Sequence, residues 1–118
     1  MTGIIKPTTQ KTGTTALATI VAAPAANLVR RVDLVATNIT AGGAYASADV
    51  FINDTGTPAN SGYRKKGYPL PPPPDPGCTV ILEYGLFLLP GQELQIRAGA
   101  ADSVAFSAEI VEGENLDA

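Results

Sequence analysis

Histidine and tryptophan are absent from these 118 residues, and cysteine occurs once, as Cys78. Without histidine there is no Ser-His-Asp or Cys-His nucleophile and no imidazole ligand for zinc. With one cysteine, no disulfide closes within the chain. Cys78 opens the apolar run Thr79-Val80-Ile81-Leu82 and reads as a small buried hydrophobe rather than a reactive thiol. Charge is also scarce: 16% of the residues are ionic, with a net charge of -3. A balance so small and evenly spread argues against nucleic acid or an anionic membrane as partner. An isolated domain ordinarily carries more charge for solubility, so the deficit points to surface that partners cover. No apolar stretch approaches the ~20 residues of a membrane span. Met1-Thr-Gly-Ile-Ile-Lys lacks the apolar core of a signal peptide, so the chain is expected to fold in a cytoplasm. The expectation is a protein that is not an enzyme and holds no cofactor or metal.

Also missing is any sustained 3.6-residue period. What is present is a period of two. Leu94, Ile96 and Ala98 point one way and Glu93, Gln95 and Arg97 the other; Val104, Phe106, Ala108 and Ile110 repeat the pattern. These two runs read as neighbouring antiparallel strands. Further candidates are Thr15–Ala22, Val29–Ile39, Ser47–Asn53, a weaker Tyr63–Tyr68, Cys78–Tyr84 and Leu86–Leu89. Asn38-Ile-Thr-Ala-Gly-Gly and Asn53-Asp-Thr-Gly carry turn residues, and Pro90-Gly91 has the sequence of a type II turn. The fold expected is all-β: an antiparallel sandwich, Ig-like or jelly-roll-like, of about seven to eight strands. Residues 15–118 make one such domain, long enough to bury about 65% of its unfolded surface. Residues 1–14 read as a polar, Thr-rich N-terminal arm without a core of its own, held by neighbouring chains or laid along its own domain.

Several segments together resemble the small accessory virion proteins of tailed bacteriophages. They are Ala18-Thr-Ile-Val-Ala-Ala-Pro, Arg31-Val-Asp-Leu-Val-Ala-Thr-Asn-Ile-Thr and Asp49-Val-Phe-Ile-Asn. The best match is Gly85-Leu-Phe-Leu-Leu-Pro-Gly-Gln-Glu-Leu-Gln-Ile-Arg-Ala, followed by Asp102-Ser-Val-Ala-Phe-Ser-Ala-Glu-Ile-Val-Glu. The resemblance implies a building block of the virion, assembled in the host cytoplasm. A capsid decoration (cement) subunit comes first, then a neck- or tail-associated subunit. Its partners are the major capsid protein or neck and tail proteins, and a homo-oligomer, with a trimer as the guess. The competing class is a surface recognition module for carbohydrate or host, for which four tyrosines and no tryptophan are thin equipment.

The chain departs from that pattern at Tyr63–Gly77. Six prolines between Pro69 and Gly77 imply an extended polyproline II loop, stiff enough to dock at low entropic cost. Lys66-Gly-Tyr-Pro69-Leu-Pro-Pro72 formally matches a ligand for SH3-like grooves, a pattern that recurs by chance. Arg64-Lys65-Lys66, between Tyr63 and Tyr68, is the one basic cluster; it suits carboxylates of an adjacent subunit better than phosphates. Asp49, Asp54, Asp75 and Asp102 lie near turns without calcium-loop spacing and read as turn caps. The acidic tail from Glu109 to Ala118 either meets a basic cluster of another copy or is solvated. Intersubunit contacts are therefore expected at Ile4, Ile5, Lys6 and Pro7 of the arm. On the basic segment they are expected at Tyr63, Arg64, Lys65, Lys66 and Tyr68, and on the loop at Pro71, Pro72, Pro73 and Pro74.

Overall fold

The computed structural model describes residues 3–40, 42–55 and 62–114. Among them the alternating runs become eight strands: β1 Gly3–Thr12, β2 Ala18–Val21, β3 Leu28–Asn38, β4 Ala46–Asp54, β5 Tyr63–Leu70, β6 Thr79–Leu88, β7 Gln92–Ala98 and β8 Val104–Glu114. A front sheet has the order β1-β8-β3-β6 and a back sheet the order β2-β7-β4-β5. The pairs β1·β8, β2·β7, β3·β6 and β4·β5 are all antiparallel and nest inside one another like a long folded ribbon. Pairs β3·β8 and β4·β7 close the ribbon into two sheets. This connectivity is that of a jelly roll.

The inward faces supply the core. Val32, Leu34 and Ala36 of β3 and Val104, Phe106, Ala108 and Ile110 of β8 meet Leu94, Ile96 and Ala98 of β7 and Ala48 and Val50 of β4. Each large aliphatic or aromatic side chain buried there stabilises the fold by about 1.5–3 kcal/mol. Gly13, where the chain leaves the front sheet, is required by packing: a Cβ there would sit 2.7 Å from the Phe106 ring and 2.9 Å from Ala98.

The structure changes several sequence expectations and decides between the two left open for the arm. The Gln92–Ala98 and Val104–Ile110 runs are not paired neighbours; β7 lies in the back sheet and β8 in the front sheet, facing each other across the core. A period of two fixes which face is buried, and packing across a sandwich satisfies it as well as pairing does. The runs Cys78–Tyr84 and Leu86–Leu89 are one strand, β6. It kinks at Gly85, whose φ is +65°, and the Gly85 N–H donates to the Asp33 carboxylate at 2.7 Å. Over Gly3–Thr12 the arm is an edge strand of its own domain, in register with β8 from Gly3–Gly113 to Thr12–Ala105. Its backbone pairs although its side chains are mostly polar and none of the large apolar ones is buried.

The proline segment is not an extended polyproline II arm. Pro69 and Leu70 belong to β5, Pro73-Pro74 is cis within a turn, and Pro76–Cys78 is a 3₁₀ turn. The Asp75 carboxylate caps that turn, accepting from the Gly77 N–H at 2.8 Å. The segment bends because it must carry the chain from the back sheet to the front sheet. The SH3-ligand form is therefore not displayed. Cys78, expected to be buried, is half-exposed at the end of this turn. Pro90-Gly91 follows its sequence: Gly91 has φ +84° and the Gln92 N–H donates to the Leu89 carbonyl at 3.0 Å. The Asn53-Asp-Thr-Gly turn signal and the end of the acidic tail fall partly outside the described residues.

Asn38, at the end of β3, is 1% exposed. Its amide nitrogen donates to the carbonyls of Ala44 (3.0 Å), Leu70 (2.9 Å) and Pro71 (3.1 Å), and its Oδ1 accepts from the Thr40 N–H at 2.8 Å. One side chain thus ties the front sheet to the exit of β5 in the back sheet. Asn38→Ala leaves these groups unpaired and should cost about 2–4 kcal/mol, summing unsatisfied buried groups, read as a lowered urea midpoint with unchanged slope. Deleting residues 1–12 uncovers β8 along its length. The shortened chain should unfold at markedly lower urea than the full chain; an equal midpoint contradicts a structural β1.

Candidate interaction surfaces

The two outward faces of the sandwich differ in kind. On the back sheet, Phe51 points away from the core yet is fully buried, because Tyr63 and Arg97 lie over it. The Phe51 and Tyr63 ring centroids are 4.3 Å apart, and the Arg97 guanidinium sits 5.1 Å from the Phe51 centroid. Arg97 donates to Asp49 at 2.9 Å and to the Tyr63 hydroxyl at 2.6 Å, while the other Asp49 oxygen accepts from the Gly67 N–H. The hydrogen bond to Asp49 is the main reason that the Arg97 pKa lies above its ordinary value. The Lys66 ammonium also lies over the tyrosine ring, 5.2 Å from its centroid. Farther along, Asn53 donates to Gln95, Gln95 donates to Thr19, and Thr19 donates to Glu93. These bonds stitch β2, β7, β4 and β5 side to side, so this face is already knitted.

Two ion-pair clusters hold the margins of the sandwich. Glu83 of β6, only 6% exposed, accepts two hydrogen bonds of 3.0 Å from Arg64 of β5, joining the two sheets along one side. That carboxylate hydrogen bond raises the Arg64 pKa. At another margin Glu112 pairs with Arg30 at 2.7 Å and with Lys6 at 3.3 Å, and Arg30 also donates to the Ala22 carbonyl. The Arg30 hydrogen bond leads the effects that hold the Glu112 carboxyl below its ordinary pKa.

Among the described residues the outward side of the front sheet carries the Thr37–Thr79 hydroxyl pair at 3.1 Å and the Gly85–Asp33 hydrogen bond, but no comparable network. One row across it reads Ile5, Val111, Arg31, Phe87, and another reads Gln10, Ser107, Val35, Ile81. Ile5 is 82% and Phe87 52% exposed, and Tyr84 stands out beside the β6 kink at 82%. Toward the other end of the strands lies a shallow depression of about 330 Å³ whose lining includes Lys11, Thr12, Val35, Thr37, Ala105 and Ser107.

All four sheet edges are blunted against strand addition. β1 has Pro7 within a register shift, and β2 is four residues long. β5 carries Lys65, Lys66 and Pro69 with two register shifts, and β6 has two shifts. Such devices keep an edge from templating another strand. Contacts with other molecules therefore fall to side-chain faces.

The residues expected at intersubunit contacts do not form one site. Ile4, Ile5, Lys6 and Pro7 lie on β1; Tyr63, Arg64, Lys65, Lys66 and Tyr68 lie on β5, in the other sheet and at its far edge. Ile4 and Ile5 are exposed, Lys6 is tied to Glu112, and Pro7 is exposed at the register shift. Arg64 finds its carboxylate within the chain, on Glu83, and Tyr68 packs partly against the core. Pro71 and Pro72 are half-buried, and Pro73 and Pro74 are exposed at the turn. Ile81, Tyr84, Phe87 and Leu89 are exposed apolar residues that sequence reasoning missed. The available signal was the unbroken apolar run, which reads as a strand buried on both faces although β6 is an edge.

Among the described residues no group of three or more His, Cys, Asp or Glu side chains is placed to hold a metal ion. No protein-family model, curated protein or solved structure matches the chain.

Breaking a buried ion pair by removing one partner costs about 3–5 kcal/mol. Arg64 is itself 43% exposed and screened by solvent, so Arg64→Met should cost about 1–2 kcal/mol. The double variant Arg64→Met/Glu83→Leu should recover most of it in urea titrations. The depressed Glu112 pKa has a definite sign: its stabilisation is present above the unfolded carboxyl value and lost as pH falls through the folded one. Wild-type stability should therefore decline as pH drops from about 5 to below the ordinary glutamate value of about 4.3. Glu112→Gln should show a shallower decline over that range.

Proposed function

We propose that this chain is a structural subunit of a tailed-bacteriophage virion, foremost a capsid decoration (cement) subunit, with neck or tail placement as the next choice. The observation that carries the reading is the division of the sandwich into one densely knitted face and one sparsely bonded face with exposed Ile5, Ile81, Tyr84 and Phe87, with every edge blunted. Such a module makes lateral side-chain contacts to large partners without polymerising edge to edge. Jelly rolls serve in viral capsids and in lectins alike, so the fold by itself does not choose. The resemblance of Gly85–Ala98 and Asp102–Glu112 to accessory virion proteins favours the assembly role. Its partners are the major capsid protein or neck and tail proteins, and the finished location is the virion.

One observation favours a recognition module instead. Tyr45 is exposed beside a depression of about 310 Å³ that Thr40, Ser47 and Ser103 line. An exposed aromatic next to hydroxyls is a platform on which a sugar ring can rest. Specific retention on a glycan array, abolished by Tyr45→Ala, supports that reading over the first.

The assembly role is tested with purified particles produced together with the tagged chain. The chain should co-sediment at a fixed copy number, and Phe87→Asp combined with Ile81→Asp should lower that number at least about tenfold, as loss of interface anchors does. A chain that stays wholly in the soluble fraction while complete particles form contradicts the virion role.

A further inference from the structure

We infer that the outward side of the front sheet is a self-complementary surface on which a second copy of this chain packs about a two-fold axis. The inference concerns the free chain and does not rest on the virion reading. A two-fold interface uses the same patch twice, so the patch must hold both a projection and a recess, and charges of both signs. This face holds all of them. Ile5 and Phe87 project at opposite margins of one row, and the depression of about 330 Å³ lies toward the other end of the strands. Thr12, Thr37, Ala105 and Ser107 contribute small side chains to the depression, beside Val35, Phe106, Gln10 and Lys11, and leave room for a large apolar one.

The charges fit the same geometry. Arg31 on β3 and Glu109 on β8 both point outward. They are diagonal neighbours, because Arg31 is in register with Val111 and Glu109 with Asp33. Neither has a hydrogen-bond or ion-pair partner among the described residues. The neighbouring Asp33 is already engaged by the Gly85 N–H. A two-fold axis passing between Arg31 and Glu109 sets each opposite its counterpart in the other copy.

The area is also sufficient. Four strands spaced about 4.8 Å apart and up to about 36 Å long present roughly 700 Å², close to the ~800 Å² per partner of a stable interface. Blunted edges exclude a continuous sheet between copies, and the stitched back sheet offers no comparable apolar face. Stacking of the two front sheets is what remains for self-association.

Sedimentation equilibrium of the full chain between about 1 and 100 μM tests the inference, a range that brackets micromolar dissociation constants. A monomer–dimer equilibrium is expected. Arg31→Glu and Glu109→Arg should each weaken the dimer at least about tenfold, and the double swap Arg31→Glu/Glu109→Arg should restore it to within about threefold. Phe87→Ser should also weaken it, with the far-UV circular dichroism spectrum unchanged. A chain that remains monomeric over the whole range assigns this face to a different molecule and overturns the inference. A trimer, or a dimer indifferent to all four variants, overturns it as well.

Discussion

The carboxamide of Asn38 is buried at one end of the mostly apolar space between the two sheets. Apolar contact is strong but has little directional preference, and two twisted sheets can slide over each other at modest cost. A buried amide with three acceptors on Nδ2 and one donor on Oδ1 fixes a single relative position, because a small shift would leave several of those groups dry and unpaired. The same amide shapes the loop after β3 and the start of the proline segment. Arg64 with Glu83 does similar work at one margin, while Arg30 and Lys6 with Glu112 tie β3, β1 and β8 within the front sheet. Apolar burial supplies the stability of this jelly roll, and a few polar ties decide its alignment.

Those ties are unevenly distributed. Phe51, facing outward from the back sheet, is sealed under an aromatic ring and a guanidinium, and the amides and hydroxyls beside it bond to one another. Phe87, facing outward from the front sheet, has no such cover. The same residue type in the same kind of position has opposite fates because Arg97 and Tyr63 flank one and β6 is the last strand beyond the other. Low total charge concentrates the contrast, since Arg30, Arg64 and Arg97 are all engaged by carboxylates of the same chain.

The sequence reading was strong on faces and weak on neighbours. Leu94, Ile96, Ala98, Val104, Phe106, Ala108 and Ile110 all point inward as their alternation requires. Alternation carries no information on which strand lies alongside, so β7 and β8 were expected to pair and instead oppose each other. Residues 1–14 read as an arm because an edge strand needs only backbone partners, and the mostly polar side chains of Gly3–Thr12 form no alternating apolar stripe. The prolines led to an extended loop because each ring fixes φ, whereas the path depends on ψ and on the capping carboxylate of Asp75. The expected contact residues were chosen for chemistry alone, and the topology then put them on β1 and β5, at opposite sides of the sandwich. Exposed Ile81 and Phe87 were hidden in a run that looks buried whenever the edge position of its strand is unknown.

The nesting of the strands also orders events in time. A chain emerges from the ribosome with β1 first, and β1 has no partner until β8 exists. Hairpin β4–β5 can form while synthesis continues, then β3 can meet β6, then β2 can meet β7, each closing a longer loop than the last. The Thr-rich segment must therefore wait for its partner until β8 has been made. Its threonines, two lysines and one proline suit that wait: a segment of Gly3–Thr12 composition resists pairing with strangers until its own last strand arrives.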